Sequence, residues 1–254
     1  MIDSRSLAYV NLYGILAALE NLCALDQQAK EIISKLNKPV SLCFDVKDGP
    51  CATLHFSKTG CRFSEGSEGC TSKMSFHSPA AFNNLIDNSK PGIPTKNPIQ
   101  VLSFLLGPFT ALTNRLTEIL RPSSEALQDR AFFELNTILT FYTIAGGISA
   151  LANTDPISKI SAGNTVDGDI HLGIADIASA TISVRNHHFS TQKTAPKNPR
   201  AKMEFASIDL ANALFAGTAS TINELCKGNI RLSGMISMVD NVNRILDRIA
   251  DYLA

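Results

Sequence analysis

Apolar residues recur along the chain with two different periods, and the way these periods succeed one another predicts an α+β protein. Spacings of three and four over residues 4–36 predict a long helix. Alternation of apolar and polar residues then predicts strands at 40–46, 52–57, 61–63 and 72–76. Ser78 caps a predicted short helix that begins at Pro79. A loop rich in proline is expected at 88–98, and a second long apolar run, 99–120, is broken at Gly107-Pro108.

The second half of the chain shows the same succession of periods. A helix is predicted over 124–152, followed by strands at 171–177, 180–186 and 201–205. Ser207 caps a helix that reaches Phe215 and stops at Gly217. A helix at 221–226, an extended run at 228–234 and a long amphipathic helix at 235–253 complete the pattern.

An offset of 129 residues brings the two halves into register. It aligns Phe76 with Phe205 and Asn83 with Asn212, and residue classes persist over most of each half. We therefore predict a duplicated unit, with domains at 1–121 and 122–254 and a boundary near Arg121-Pro122, packed as a pseudo-dimer. Each unit is expected to hold an antiparallel sheet of about five strands covered by helices.

No charged residue occurs from Leu135 to Thr154, a stretch long enough to cross a bilayer. It holds many hydroxyl, amide and glycine positions, so we interpret it as a buried helix and predict no transmembrane span. Transient contact with a membrane surface stays open, although the basic face that is usual for interfacial helices is missing.

The amino-acid composition limits the kinds of binding partner and the cellular compartment that we expect. Lys and Arg together number 23, as do Asp and Glu, so the formal net charge is zero, which argues against a nucleic-acid partner. The six cysteines include no Cys-x-x-Cys motif, and the start of the chain does not resemble a signal peptide. We expect reduced thiols in a cytoplasmic protein.

The sequence offers no recognisable catalytic device. His187-His188 would point to opposite faces of a strand and so cannot chelate one metal ion together. Residues 163–168 form a turn between a helix and a strand, whereas a dinucleotide fingerprint needs the reverse order. Cys226 lies near a helix C-terminus, which disfavours a thiolate. We predict a protein that is not an enzyme and needs neither metal nor cofactor.

Two clusters of apolar residues exceed what a single covered helix requires. They are Phe104, Leu105, Leu106, Phe109 and Leu112 in the first half, and Leu232, Met235, Ile236, Met238 and Val239 in the second. Such stripes usually form core. The alternative is that they line a ligand cavity, where methionine adapts to varied shapes.

The second half resembles the sterol carrier protein type 2 family. The resemblance lies in residues 203–207, the helix Asp209–Phe215 with Ala216-Gly217 after it, the run Gly228–Gly234 and the final helix from Met235. It covers roughly 167–254 and, through the repeat, extends more weakly to 40–120. The first half departs from the pattern, because Ile99 and Leu105 stand where the second half has Gly228 and Gly234.

The resemblance implies a hydrophobic tunnel between a five-stranded sheet and its helices that accepts sterols, fatty acyl chains or other lipids. It implies carriage or binding without catalysis. The alternative from a different class is an interaction or scaffold module whose cavity is filled. The residues expected to contact the ligand are Phe205, Leu210, Leu214, Phe215, Ile230, Leu232, Met235, Ile236, Met238, Val239 and Val242, with Phe104, Leu105 and Phe109 in the first half.

Overall fold

The structure is a computed structural model that describes residues 2–87 and 98–253, and the side chains of all of these except 98–100. It divides into two compact units, Met1–Leu135 (unit 1) and Asn136–Ala254 (unit 2). The division falls inside a helix rather than at Arg121-Pro122, and that domain boundary stays a prediction, as does the pseudo-dimer. The loop predicted at 88–98 lies, except for Pro98, outside the described residues.

Unit 1 begins with a helical run that is divided into shorter segments, whereas the apolar spacing predicts one continuous helix. The run comprises α1 (Ser4–Tyr9), a π-helical turn (Val10–Ile15), a 3-10 turn (Leu16–Ala18), α2 (Leu19–Leu25) and α3 (Gln27–Ser34). The single helix predicted over 4–36 is wrong because Asp26 is extended, and its carboxylate accepts the Ala29 N–H at 2.9 Å as the N-cap of α3. Arg115 donates to the same carboxylate at 2.9 Å.

The first sheet has four strands, β1 (Val40–Val46), β2 (Cys51–Ser57), β3 (Gly60–Glu65) and β4 (Ser72–Phe76), in the order β3-β2-β1-β4. β1 and β4 run parallel, so the prediction of an antiparallel, roughly five-stranded sheet is wrong for this unit. The reason is the connection 66–71. It leaves β3 at one edge and reaches the far side of β1, where Thr71 N donates to Ser41 O at 3.0 Å. A strand that starts there has the direction of β1.

After this sheet, the described residues of unit 1 form the helices α4 (Pro79–Asp87), α5 (Pro98–Phe104) and α6 (Thr110–Leu120). The predicted cap at Ser78 is confirmed, because its hydroxyl accepts the Ala81 N–H at 3.2 Å. The helix does not stop at Gly107-Pro108 as predicted but widens into a π-helical turn, Leu105–Phe109. Thr110 Oγ1 donates to Leu105 O at 2.7 Å, which helps to satisfy the backbone around the proline.

The helix predicted over 124–152 starts later, as α7 (Arg130–Thr154), after a 3-10 turn at Ala126–Gln128. Asp129 sets its start, because its carboxylate accepts the Phe132 N–H at 2.9 Å. Most of α7 lies in unit 2, which continues with α8 (Ser158–Gly163), a helix that the sequence pattern did not predict.

The second sheet has five strands, β5 (Gly168–Ile174), β6 (Ala178–Arg185), β7 (His188–Gln192), β8 (Ala201–Phe205) and β9 (Ile230–Gly234), in the order β7-β6-β5-β8-β9. β5 and β8 are parallel, so this sheet is also mixed rather than antiparallel. Strand β7 was not predicted. Asn186 and His187 have positive φ angles of 51° and 60° and form a tight hairpin turn, whereas His188 is the first residue of β7.

The remaining helices of unit 2 are α9 (Ile208–Phe215), α10 (Thr221–Cys226) and α11 (Ile236–Leu253). The predicted cap of α9 is confirmed, since Ser207 Oγ accepts the Leu210 N–H at 3.2 Å. The predicted stop is also confirmed, with Gly217 at φ 69°.

Gly234 accounts for a difference between the two sheets. It ends the edge strand β9 with φ 77°, and a Cβ placed there would lie 2.3 Å from the carbonyl oxygen of Arg200. No other residue fits so close to the backbone of the neighbouring strand. Unit 1 has Leu105 at the position that the offset pairs with Gly234, and residues 98–104 are helical instead.

Within the described residues, two helical stretches are long and apolar enough to cross a membrane, Ser4–Leu25 and Arg130–Thr154. Their most apolar windows are 61% and 72% buried inside the structure. Core helices of soluble proteins pass the same test, so these two are weak support for a span.

Candidate ligand-binding site

A small cavity lies in unit 1 between the sheet and its helices, with a volume of about 70 Å³. Phe44 on β1 forms its floor, and Phe109 and the first turns of α6 line the opposite side. Its remaining walls are Ile15, Leu16, Leu85, Ile86, Thr110, Thr113, Leu116 and Thr117. Pockets for small-molecule ligands usually measure about 300–1,000 Å³, so this cavity could not hold a lipid without expanding.

Aromatic side chains fill most of the space around that cavity. Phe44 contacts Phe82 and Phe109, with ring centroids 6.1 Å apart in each pair. Phe56 packs against Phe104 at 5.1 Å. Edge-to-face and tilted contacts of this kind add to the free energy of burial. The core of unit 1 is therefore largely filled by its own residues.

The corresponding end of unit 2 is packed more loosely. Only Ile208 and Ala211 are buried in α9, and no residue of α10 is buried. We name the apolar side chains left exposed or half-exposed on these adjoining elements the apolar mouth. They are Leu210, Leu214, Phe215, Ile222, Leu225, Leu232, Met235 and Ile236.

The elements that carry the apolar mouth are joined to the sheet by specific contacts. The rings of Phe205 on β8 and Phe215 on α9 meet edge to face at 5.9 Å. Leu232 on β9 pairs with Met203 on β8. Asn212 on α9 donates to Asn136 Oδ1 at 3.0 Å and to Thr137 Oγ1 at 2.8 Å. One side of α9 is therefore anchored by hydrogen bonds, and Leu210, Leu214 and Phe215 are left half-exposed.

The residues predicted to contact ligand fall into three groups. The buried ones in unit 2 are Phe205, Ile230, Met238, Val239 and Val242. Those in the apolar mouth are Leu210, Leu214, Phe215, Leu232, Met235 and Ile236. Those in the core of unit 1 are Phe104, Leu105 and Phe109, of which Phe109 lines the cavity.

Sequence reasoning missed the other walls of that cavity and one part of the apolar mouth. Ile222 and Leu225 on α10 are 74% and 40% exposed. Their spacing of three residues in a short helix was a usable signal. The threonines of α6 carried no such signal, because the pattern of apolar and polar residues does not distinguish a hydroxyl that faces a cavity from one that faces solvent.

The outer face of the second sheet brings three polar groups together. His171 lies between Ser179 on β6 and Glu204 on β8, with Nε2 3.3 Å from Ser179 Oγ and Nδ1 3.7 Å from a Glu204 oxygen. Gly173 leaves room for the ring, since a Cβ there would be 3.1 Å from it. Burial lowers the pKa of His171, and the nearby Glu204 opposes that shift. At 3.7 Å the carboxylate does not hydrogen-bond to the ring, so the three groups do not form a nucleophilic relay.

Within the described residues, no group of three or more His, Cys, Asp or Glu side chains could hold a metal ion. Comparison with protein-family models gives no match, and comparison with curated protein sequences gives none either.

Comparison with solved structures gives matches to sterol carrier proteins. The palmitated sterol carrier protein 2-like 2 of Aedes aegypti matches 43% of this chain and 91% of its own, with 16% identity and a TM-score of 0.32. Sterol carrier protein 2 from Yarrowia lipolytica matches 47% of this chain and 97% of its own, with 16% identity and a TM-score of 0.28. The similarity is to the sterol carrier protein 2 fold.

An enzyme shares part of this similarity. The inverting sec-alkylsulfatase Pisa1 from Pseudomonas sp. matches 63% of this chain but only 29% of its own, with 8% identity and a TM-score of 0.31. TM-scores of this size say nothing about what this chain binds or whether it is catalytic, so the function has to be argued from its own residues.

Proposed function

We propose that the protein binds a hydrophobic small molecule, such as a sterol, a fatty acyl chain or another lipid, in unit 2 between the sheet and the helices α9, α10 and α11. The observation that supports this is the apolar mouth, where two short helices, an edge strand and the start of α11 leave eight apolar side chains exposed or half-exposed. Ile222 is 74% exposed and Ile236 is 51% exposed. Clustered exposed apolar surface commonly marks a ligand or partner site.

The packing of α9 and α10 supports entry of the ligand beneath them. α10 has no buried residue, so little apolar burial holds it in place. The linker between the two helices contains Gly217 at φ 69°, and Gly228 at φ 78° follows α10. A ligand that displaces α10 would remove few native contacts and would cover apolar side chains now in water.

The expected affinity follows from the area that such a ligand buries. Burying about twelve methylenes at about 0.8 kcal/mol each yields on the order of 10 kcal/mol. Association and ordering remove about 4 kcal/mol or more, which leaves at most about 6 kcal/mol, an affinity of some tens of micromolar or weaker.

The test compares two exposed isoleucines on short helices of unit 2. Ile222→Asp removes an apolar side chain from the mouth, whereas Ile160→Asp changes one that is 68% exposed on α8. A fluorescent fatty acid should bind the wild type and the Ile160→Asp variant alike. Ile222→Asp should weaken binding by about 10- to 100-fold, since burying one such side chain contributes about 1.5–3 kcal/mol.

Two results would contradict the proposal. One is failure of the wild type to bind the probe, together with an organic extract of the purified protein that contains no lipid by mass spectrometry. The other is equal binding by the two variants and the wild type, which would place the probe elsewhere.

A second function is favoured by the filled core of unit 1. Leu102 and Leu106, one helical turn apart, are 46% and 60% exposed and lie over an aromatic core that leaves little room for ligand. An interaction or scaffold module would use such a pair to contact another protein. Loss of a bound protein on Leu106→Asp, with lipid binding unchanged, would favour this function for unit 1.

A further inference from the structure

Two cysteine sulfurs meet on the outer face of the first sheet, away from the cavity floor at Phe44. Cys43 lies opposite Thr53 in the β1–β2 pair, and Cys51 lies opposite Asp45, so the two cysteines are diagonal neighbours. Their Sγ atoms are 3.9 Å apart, and both thiols are free. Two thiols that can be oxidised are therefore in contact with each other.

The two thiols differ in access to solvent. Cys43 is fully buried, whereas Cys51 is half-exposed. A reagent that arrives from water therefore meets Cys51 first, with Cys43 directly behind it. Titratable groups near the pair include Lys73, Asp45, Cys70 and Tyr13, whose hydroxyl donates to Cys51 O at 3.1 Å.

Burial raises the pKa of both thiols, that of Cys43 to about 12. Both are therefore protonated at neutral pH, which disfavours a permanent metal site because metals bind the thiolate. It does not prevent oxidation, which proceeds through the small thiolate fraction of the more accessible sulfur.

We propose that Cys43 and Cys51 form a reversible oxidation site, which a hydroperoxide converts into an intramolecular disulfide. The Cys51 sulfur attacks the peroxide oxygen, the O–O bond breaks, and an alcohol or water leaves with the thiol proton. Cys51 is then a sulfenic acid. The Cys43 sulfur attacks that sulfur, the S–O bond breaks, and the released hydroxide takes the Cys43 proton as water. In total, two thiols lose two protons and two electrons, and one hydroperoxide is reduced to an alcohol or water, with a second water released.

The two sulfurs are already close together, but the disulfide that joins them would be strained. The sulfurs must close from 3.9 Å to about 2.05 Å. Diagonal neighbours in an antiparallel pair have Cα atoms about 7–8 Å apart, at the upper limit for a disulfide, so the backbones of β1 and β2 must move closer together. A disulfide that distorts its strands is more easily reduced than a relaxed one. We therefore expect a disulfide that forms under peroxide and is removed by a mild thiol reductant.

Tryptic mapping can identify the bond, because all six cysteines fall on separate peptides. Cys43 lies on 36–47, Cys51 on 48–58, Cys70 on 63–73 and Cys226 on 203–227. The reduced full chain is treated with hydrogen peroxide, quenched with N-ethylmaleimide in denaturant and digested. We expect peptides 36–47 and 48–58 to be linked, with a protein lighter by two hydrogen atoms that regains them with dithiothreitol.

Cysteine variants test whether the reaction is confined to Cys43 and Cys51. Cys226→Ser should leave the link intact, although this thiol is exposed. Cys43→Ser should yield a Cys51 sulfenic acid that dimedone traps. Absence of the 36–47 to 48–58 link when Cys226 has already been oxidised would overturn the proposal. So would a link from peptide 63–73 to either of the others, because the reacting partner would then be Cys70. The wild-type map is decisive even if a variant fails to fold.

Discussion

Removing the carboxylate of Asp155 should destabilise unit 2 strongly, because three donors converge on this group. Asp155 is 1% exposed and accepts the Ser158 N–H and hydroxyl, each at 2.8 Å, and the Tyr252 hydroxyl at 2.7 Å. It thus caps α8 and holds the end of α11 against it. The loss of a cap costs about 1 kcal/mol. Depriving the buried Tyr252 hydroxyl of this acceptor costs about 1–3 kcal/mol. For Asp155→Ala we expect a total of about 2–4 kcal/mol.

The assay is urea unfolding of the full chain, followed by far-ultraviolet circular dichroism because the chain has no tryptophan. Asp240→Ala is the matched control in the same unit. Its carboxylate is 57% exposed and pairs with Arg244 at 3.1 Å, so its removal should cost less than about 0.5 kcal/mol. A double-mutant cycle with Tyr252→Phe measures the part that comes from the Tyr252 hydrogen bond.

Acid provides a second check on the same carboxylate. Burial alone would raise the pKa of Asp155, but the bonds from Ser158, Tyr252 and Arg248 outweigh it and lower the pKa below its ordinary 3.8. A depressed pKa in the folded state adds stability above pH 3.8, and that addition is lost as the pH falls through the folded value. The difference between wild type and Asp155→Ala should therefore shrink on acidification. A variant no less stable than Asp240→Ala, or a difference independent of pH, would refute the reasoning.

The remaining predictions concern backbone room and aromatic packing. Gly234→Ala should cost more than about 2 kcal/mol, because it combines a positive φ with a Cβ 2.3 Å from the Arg200 carbonyl. Gly217 has φ 69° and open space around it, so Gly217→Ala should cost only the backbone strain of a positive φ, about 1–2 kcal/mol. Equal losses of stability in the two variants would show that the clash with Arg200 adds nothing. Phe82→Ala should cost about 3–5 kcal/mol, since the ring is fully buried. Leu106→Ala, at a 60% exposed position, should stay within about 0.5 kcal/mol, and urea unfolding distinguishes the pair.

Some residues that lie 129 positions apart make similar contacts in the two units. Asp26 and Asp155, 129 positions apart, each cap the helix that follows a long helical run. Each also pairs with an arginine, Asp26 with Arg115 on α6 and Asp155 with Arg248 on α11. Asn83 on α4 donates to Ser4 O at the start of α1. Asn212 on α9 donates to Asn136 Oδ1 on α7. The sequence offset found these asparagines, but their hydrogen-bond partners lie 72 to 79 residues away and follow no periodic pattern.

The candidate site was less predictable than the fold. Apolar periodicity singled out Leu214, Phe215, Met235 and Ile236 because the residues of a helical face lie at regular intervals. Whether such a face is buried or open depends on what packs against it, and that is not a local property. Phe104 and Leu105 have the same signature in sequence as residues of the apolar mouth, yet they are buried in the core of unit 1.

Local residue types by themselves determined the α+β class, the caps at Ser78 and Ser207, the stop at Gly217 and the extended run that ends at Gly234. These follow from φ preferences and side-chain hydrogen bonds within a few residues. Only the tertiary structure decided the rest. The parallel pairing of β1 with β4 and of β5 with β8 depends on how a loop crosses a sheet. The aromatic filling of unit 1, the open packing of α10 and the contact between Cys43 and Cys51 depend on which strands and helices become neighbours. Those neighbours are set by long-range packing, and the spacing of residues along the chain does not encode it.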